Sequence, residues 1–148
     1  LEDELKMSTI HNPYQRATLN VVFTGAWMSE RINKLLKPFG ISEQQYNILR
    51  ILKGQKGNPI NLQDISERMV HKMSNTTRMI EKLRLKGFVE RSICENNRRK
   101  VEIIITSPGI KLIEKLATDF EEADNKLQDK LTSKEAEKLA FLLDKIRD

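Results

Sequence analysis

Apolar residues recur along most of the chain at three- and four-residue intervals, the period of an amphipathic helix. Leu19, Val22, Phe23 and Ala26, followed by Met28, Ile32, Leu35 and Leu36, predict one long helix from about Pro13 to Lys37 that stops near Pro38 and Gly40. Ser42-Glu43-Gln44-Gln45 has the form of a capping box, in which a serine hydroxyl and a glutamine side chain each satisfy a backbone N–H that the first turn leaves free. It opens a second helix that turns Tyr46, Ile48, Leu49, Ile51 and Leu52 inward and ends before Gly54. A polar loop to Pro59 leads to Asn61, a good N-cap for a short third helix with Leu62, Ile65 and Met69 on one side. A fourth helix from about Ser74 to Lys86 buries Thr76, Met79, Ile80 and Leu83 and is closed by Gly87. Its other face carries Asn75, Thr77, Arg78 and Lys82.

After Gly87 the period falls to two, with Val89, Arg91 and Ile93 on one arm and Val101, Ile103 and Ile105 on the other. The polar stretch Glu95-Asn96-Asn97-Arg98-Arg99 joins them, which predicts a β-hairpin. Thr106, Ser107 and Pro108 suit a helix start, and Ile110, Ile113, Leu116, Ala117 and Phe120 continue at helical spacing to about Leu131. Thr132 with Glu135 forms another capping box, opening a last helix lined by Ala136, Leu139, Leu143 and Ile146. The fold class is therefore mainly α with one β-hairpin.

Charge sharpens this picture. The 148 residues carry a net charge of +5, but the stretch from His71 to Lys100 holds nine basic and three acidic side chains, and the remaining residues sum to −1. A polyanion-binding surface on a nearly neutral scaffold has this distribution. The length fits one domain of common size. No apolar run reaches the roughly 18–20 residues of a membrane span, and the first residues lack a basic stretch followed by an apolar one, so the expected location is the cytoplasm, with no membrane partner. The single cysteine, Cys94, excludes an internal disulfide, and His11 and His71 lack metal-ligand spacing, so neither a metal nor a cofactor is expected. Phosphate-binding glycine loops and the usual nucleophile and zinc-protease motifs are absent, which argues against an enzyme.

Two short helices, the second bearing exposed polar and cationic residues, followed at once by a hairpin with a basic tip, have the order of a winged helix-turn-helix. Asn75, Thr77 and Arg78 have the chemistry to meet base edges, with Lys72, Ser74 and Lys82 beside them, while Asn97, Arg98 and Arg99 on the wing would meet the backbone or minor groove. A winged-helix module that binds protein partners is the alternative. The excess of +6 over 30 residues serves DNA better than a protein partner.

The residues also resemble the MarR (multiple antibiotic resistance regulator) family of transcription factors, over nearly the whole chain. The resemblance is carried by Thr77-Arg78-Met79-Ile80-Glu81-Lys82-Leu83, by Lys86-Gly87-Phe88-Val89-Glu90-Arg91, by Asn97-Arg98-Arg99 and by Ile105-Thr106-Ser107-Pro108-Gly109. In the family an Asp usually precedes the wing arginine pair; here Asn97 stands there. The resemblance implies a homodimer in which residues 1–40 and 107–148 form a helical dimerisation region around a DNA-binding domain over 41–106. It further implies a repressor of transcription, acting on a pseudo-palindromic double-stranded operator and relieved by a small aromatic or lipophilic effector. Phe23, Trp27, Met28 and Tyr46 are candidates to line the effector pocket, although side chains at this spacing also fit an ordinary core. Family members that sense peroxide through a cysteine carry it near the start of the first long helix, whereas Cys94 falls at the wing.

Overall fold

A computed structural model describes residues 1–70, 75–94 and 97–148, with backbone alone at 93–94, 97–100 and 124. A short helix, α1 (Glu2–Leu5), precedes the long α2 (Pro13–Leu36), which starts where Asn12 Oδ1 accepts from the backbone N–H groups of Tyr14 and Gln15 at 2.9 and 3.2 Å. The chain then tightens into a single 3₁₀ turn, Lys37–Phe39, and reverses at Gly40 with φ of 63°. Helix α3 (Glu43–Gly54) opens with the predicted capping box: Ser42 Oγ accepts from Gln45 N–H, and Gln45 Oε1 accepts from Ser42 N–H. After α3 follow β1 (Ile60–Asn61), α4 (Leu62–Arg68), α5 (Thr76–Leu85), β2 (Val89–Cys94), β3 (Asn97–Ile105), α6 (Ser107–Gln128) and α7 (Ser133–Arg147).

Two of these elements carry no sequence signal. β1 is only two residues long, too short to display a period, and exists because Ile60 pairs with Ile103 across the free edge of β3. α1 is a single acidic turn whose Glu2 is held by Arg16 of α2. The helix predicted to reach Leu131 ends at Gln128, and a turn bridges to the Thr132 cap of α7.

The sheet has the order β1-β3-β2, all antiparallel, with Val89 opposite Ile105, Arg91 opposite Ile103 and Ile93 opposite Val101. The core lies beneath it. Ile48, Leu49 and Leu52 of α3 meet Ile65 of α4, Ile80 and Leu83 of α5, Val89 and Ile103 of the hairpin and Leu116 of α6, all fully or nearly fully buried. Helix α3 is the central piece, packed against α2, α4, α5, α6 and β3.

The turn between α5 and β2 is fastened to the start of α6. Gly87, with φ of 75°, closes α5 by donating to the Arg84 carbonyl, and Phe88 N–H reaches back to Leu83. Thr106 Oγ1 donates to the Gly87 carbonyl at 2.6 Å, Thr106 N–H donates to the Phe88 carbonyl at 3.1 Å, and the same hydroxyl oxygen accepts from Gly109 N–H as the cap of α6. At Gly109 a Cβ would stand 2.3 Å from the Phe88 carbonyl oxygen, so only glycine permits this approach.

The terminal helices contribute little to that core. Among the described residues α2 buries only Leu36 and α7 buries none, while Tyr14, Val22, Trp27, Phe141 and Ile146 are exposed. No helix among the described residues is long and apolar enough to cross a membrane.

Candidate nucleic-acid interface

Helix α5 is seated by its inner face. Thr76, Ile80 and Leu83 are buried, which leaves Asn75, Thr77, Arg78 and Lys82 facing outward, as the helical period predicts. Helix α4, which precedes it, is capped by Asn61 Oδ1 accepting from Asp64 N–H at 2.9 Å. Its exit is tied to α3 by Val70 N–H donating to Asn47 Oδ1 at 3.0 Å. Asn75 occupies the N-cap position of α5 but makes no capping hydrogen bond with its side chain. That amide is therefore not consumed by the helix end it stands on.

Asn75, Thr77, Arg78 and Lys82 share a shallow open hollow of about 640 Å³ with two further residues, Glu81 and Arg91. Glu81 is the electrostatic hub. Arg84 donates to it through Nε at 3.0 Å and Nη2 at 2.7 Å, and Arg91 Nη1 lies 3.7 Å away on β2. The Arg84 hydrogen bond is the main reason that the Glu81 carboxyl sits below its ordinary pKa, with the charges of Arg84 and Arg91 adding to it against partial desolvation. Arg78 and Lys82 make no ion pair among the described residues.

Sequence reading did not nominate Glu81 or Arg91 for the site. A signal was available: Arg91 is the one cation among the alternating positions Val89, Arg91 and Ile93. Lys72 and Ser74 lie outside the described residues. Asn97, Arg98 and Arg99 begin β3, with Asn97 opposite Cys94 in the register and an irregularity in the pairing between Ile93 and Cys94.

A second cavity, about 500 Å³, opens between α2, α3 and α6, and Ile32, Glu43, Tyr46, Arg50, Ile113 and Phe120 are among the residues lining it. Tyr46 and Phe120 stack with ring centroids 4.7 Å apart, and the Arg50 guanidinium stands 5.9 Å from the Tyr46 ring. At its rim Ser29 of α2 hydrogen-bonds to the Glu43 carboxylate of α3. Of the four pocket candidates, Tyr46 alone lines this cavity. Phe23, Trp27 and Met28 are placed along α2, where Trp27 packs under the Arg31 guanidinium at 4.7 Å. No group of three or more potential metal ligands occurs among the described residues.

Residues 41–101 match the model of the MarR family. The matched segment runs from Ile41, ahead of α3, into β3 at Val101, and so contains the whole hollow. The transcriptional repressor MprA of Escherichia coli (strain K12) is 25% identical over 136 residues, which cover 90% of this chain and 77% of that protein. A MarR transcription factor from Planctomyces limnophilus superposes with a TM-score of 0.71 at 27% identity, covering 92% of this chain and 98% of that one. A mutant MarR from E. coli, solved in complex with operator DNA, superposes with a TM-score of 0.80 at 23% identity, covering 94% and 99%. The likeness of the MarR fold thus takes in α2, α6 and α7 as well as the segment matched by the family model.

Proposed function

We propose that this chain is a dimeric, sequence-specific DNA-binding regulator of transcription, a repressor with α5 as its recognition helix. The observation that carries the reading is the outer face of α5. Asn75, Thr77, Arg78 and Lys82 stand together in one hollow beside β2, with amide, hydroxyl and cationic groups suited to base edges and phosphates. A mutant MarR of known structure that shares this fold is bound to operator DNA, and the MprA relative is a repressor. Lys72 and Ser74 would extend the helix contact, and Asn97, Arg98 and Arg99 would supply the wing contact. Residues 41–106 form the DNA-binding domain, and residues 1–40 and 107–148 the dimerisation region, where exposed apolar side chains on α2 and α7 offer the surface a second copy would cover. The chain acts in the cytoplasm and catalyses no reaction.

The cavity between α2, α3 and α6 is the effector site in this reading, because a molecule held there touches both the proposed dimerisation region and the helix on which α5 rests. The stacked Tyr46 and Phe120 rings favour an aromatic or lipophilic occupant.

Selection of binding sites from a random duplex library tests the reading. Enrichment of one inverted-repeat sequence, bound more tightly than a scrambled duplex, is the expected result. Recovery of unenriched sequence, or equal affinity for the two duplexes, overturns it.

A further inference from the structure

The face that would meet DNA contains a carboxylate, an unexpected group opposite a polyanion. Glu81 lines the hollow together with Asn75, Thr77, Arg78, Lys82 and Arg91, and it is only half-buried. It meets two cations on different elements: Arg84, one turn further along α5, donates to both of its oxygens, and Arg91 of β2 lies 3.7 Å from Oε2, an oxygen that it shares with Arg84. Glu81, Arg84 and Arg91 thus form a bridge between helix and hairpin at the edge of the DNA-facing surface. Of the four cations described there, two are engaged by Glu81, while Arg78 and Lys82 are not.

Resting on the DNA-binding reading, we propose that Glu81 is a specificity determinant that acts through Arg91. By holding the Arg91 guanidinium on the helix, it withholds one cation from arbitrary phosphates and sets the hairpin at the angle that the base contacts of α5 require. Sequence-independent binding is almost wholly a matter of phosphates neutralised and counterions released. A cation held by a neighbouring carboxylate contributes less to it, and the carboxylate itself repels the backbone. On an operator, base contacts by Asn75, Thr77 and Arg78 fix the register, so the same bridge aids docking there and offsets its electrostatic cost. The net effect of Glu81 is to widen the gap between operator and random DNA.

The test compares the wild type, Glu81→Gln, Arg91→Gln and the double variant on two duplexes, a selected operator and a scrambled sequence, by fluorescence anisotropy between about 50 and 200 mM salt. Glutamine keeps the shape and removes the charge, and thermal melting of each variant verifies folding. For Glu81→Gln the scrambled duplex should bind about three- to fivefold more tightly, the scale of an exposed ion pair. The slope of log K against log salt should steepen by about one unit, for one added phosphate contact. Operator affinity should stay within about twofold, since the loss of the bridge offsets the gain there. The gain on scrambled DNA should vanish when Arg91 is also replaced. The proposal is overturned if Glu81→Gln leaves scrambled binding and slope at wild-type values, if it weakens both duplexes alike, or if the gain survives without Arg91. Failure of the wild type to bind either duplex in a salt-dependent way would instead remove the DNA-binding reading itself, and this inference with it.

Discussion

Arg78 and Arg99 divide the proposed work on DNA between base reading and backbone contact. Arg78 stands on the outer face of α5 without an ion-pair partner among the described residues, so Arg78→Ala should cost about 1–3 kcal/mol on the operator and far less on scrambled DNA. Arg99 lies near the start of β3, in the proposed wing, where contacts to phosphate would carry little sequence information. Arg99→Ala should weaken both duplexes by similar factors and reduce the salt slope by about one unit. A salt titration of both variants measures the division, and equal loss on the two duplexes for Arg78→Ala would reverse the assignment. Glu81 adds a pH dependence of defined sign. Its carboxyl titrates below the ordinary value, chiefly through the Arg84 hydrogen bond, so its ion pairs are fully formed above the ordinary carboxylate range and are lost as pH falls through the lowered value. The melting temperatures of wild type and Glu81→Gln should therefore differ at neutral pH, by a small margin because the group is exposed, and converge in acid.

At the level of elements, the angle between α5 and the hairpin is held from two sides. Glu81 ties α5 to β2 at the edge proposed to face DNA, while Thr106 and Gly109 clamp the Gly87-Phe88 turn to the start of α6 on the other. Gly109→Ala would press a methyl group against the Ile105 side chain and the Phe88 carbonyl oxygen, and the latter cannot move without shifting the backbone that leads into β2. Overpacking of this kind should lower stability by about 1–3 kcal/mol, read as an earlier denaturation midpoint, and weaken operator binding beyond what the stability loss explains. A melting curve at the wild-type position would show that the junction yields more readily than its geometry implies.

For the whole molecule the outstanding physical fact is apolar surface on helices that bury almost nothing of their own. Leu139, Phe141, Leu142 and Ile146 of α7 and Val21, Val22, Trp27 and Met28 of α2 remain exposed in a single chain. A homodimer that covers these faces, with an interface above about 2,000 Å², is the expected assembly. Sedimentation at micromolar concentration should give twice the chain mass of 17.2 kDa, and a monomer there would contradict it. Two-fold symmetry then requires an inverted-repeat operator whose half-site centres lie about 10 bp apart, so that both α5 helices enter successive major grooves on one side of the duplex. Footprinting should show two protected half-sites; one asymmetric half-site would be incompatible with the dimer.

Local chemistry was enough for much of this architecture. Capping boxes at Ser42 and Thr132, the cap at Asn61, the stop at Gly87 and the change of period at Val89 depend on neighbours within a few residues, and the structure has each where the sequence pattern puts it. The outer face of α5 was legible for the same reason, since the 3.6-residue period divides Thr76, Ile80 and Leu83 from Thr77, Arg78 and Lys82 once the helix is recognised. What depends on residues far apart in the chain was not. β1 exists only through pairing with β3, and the need for glycine at position 109 arises from the Phe88 carbonyl some twenty residues earlier. The cavity joins Tyr46 to Phe120 across α3 and α6 and leaves Phe23, Trp27 and Met28 elsewhere on α2, because periodicity identifies an apolar stripe but not the surface it meets. The placement of Arg91 beside Glu81 likewise follows from how the hairpin folds back on α5, a long-range packing decision that no local propensity encodes.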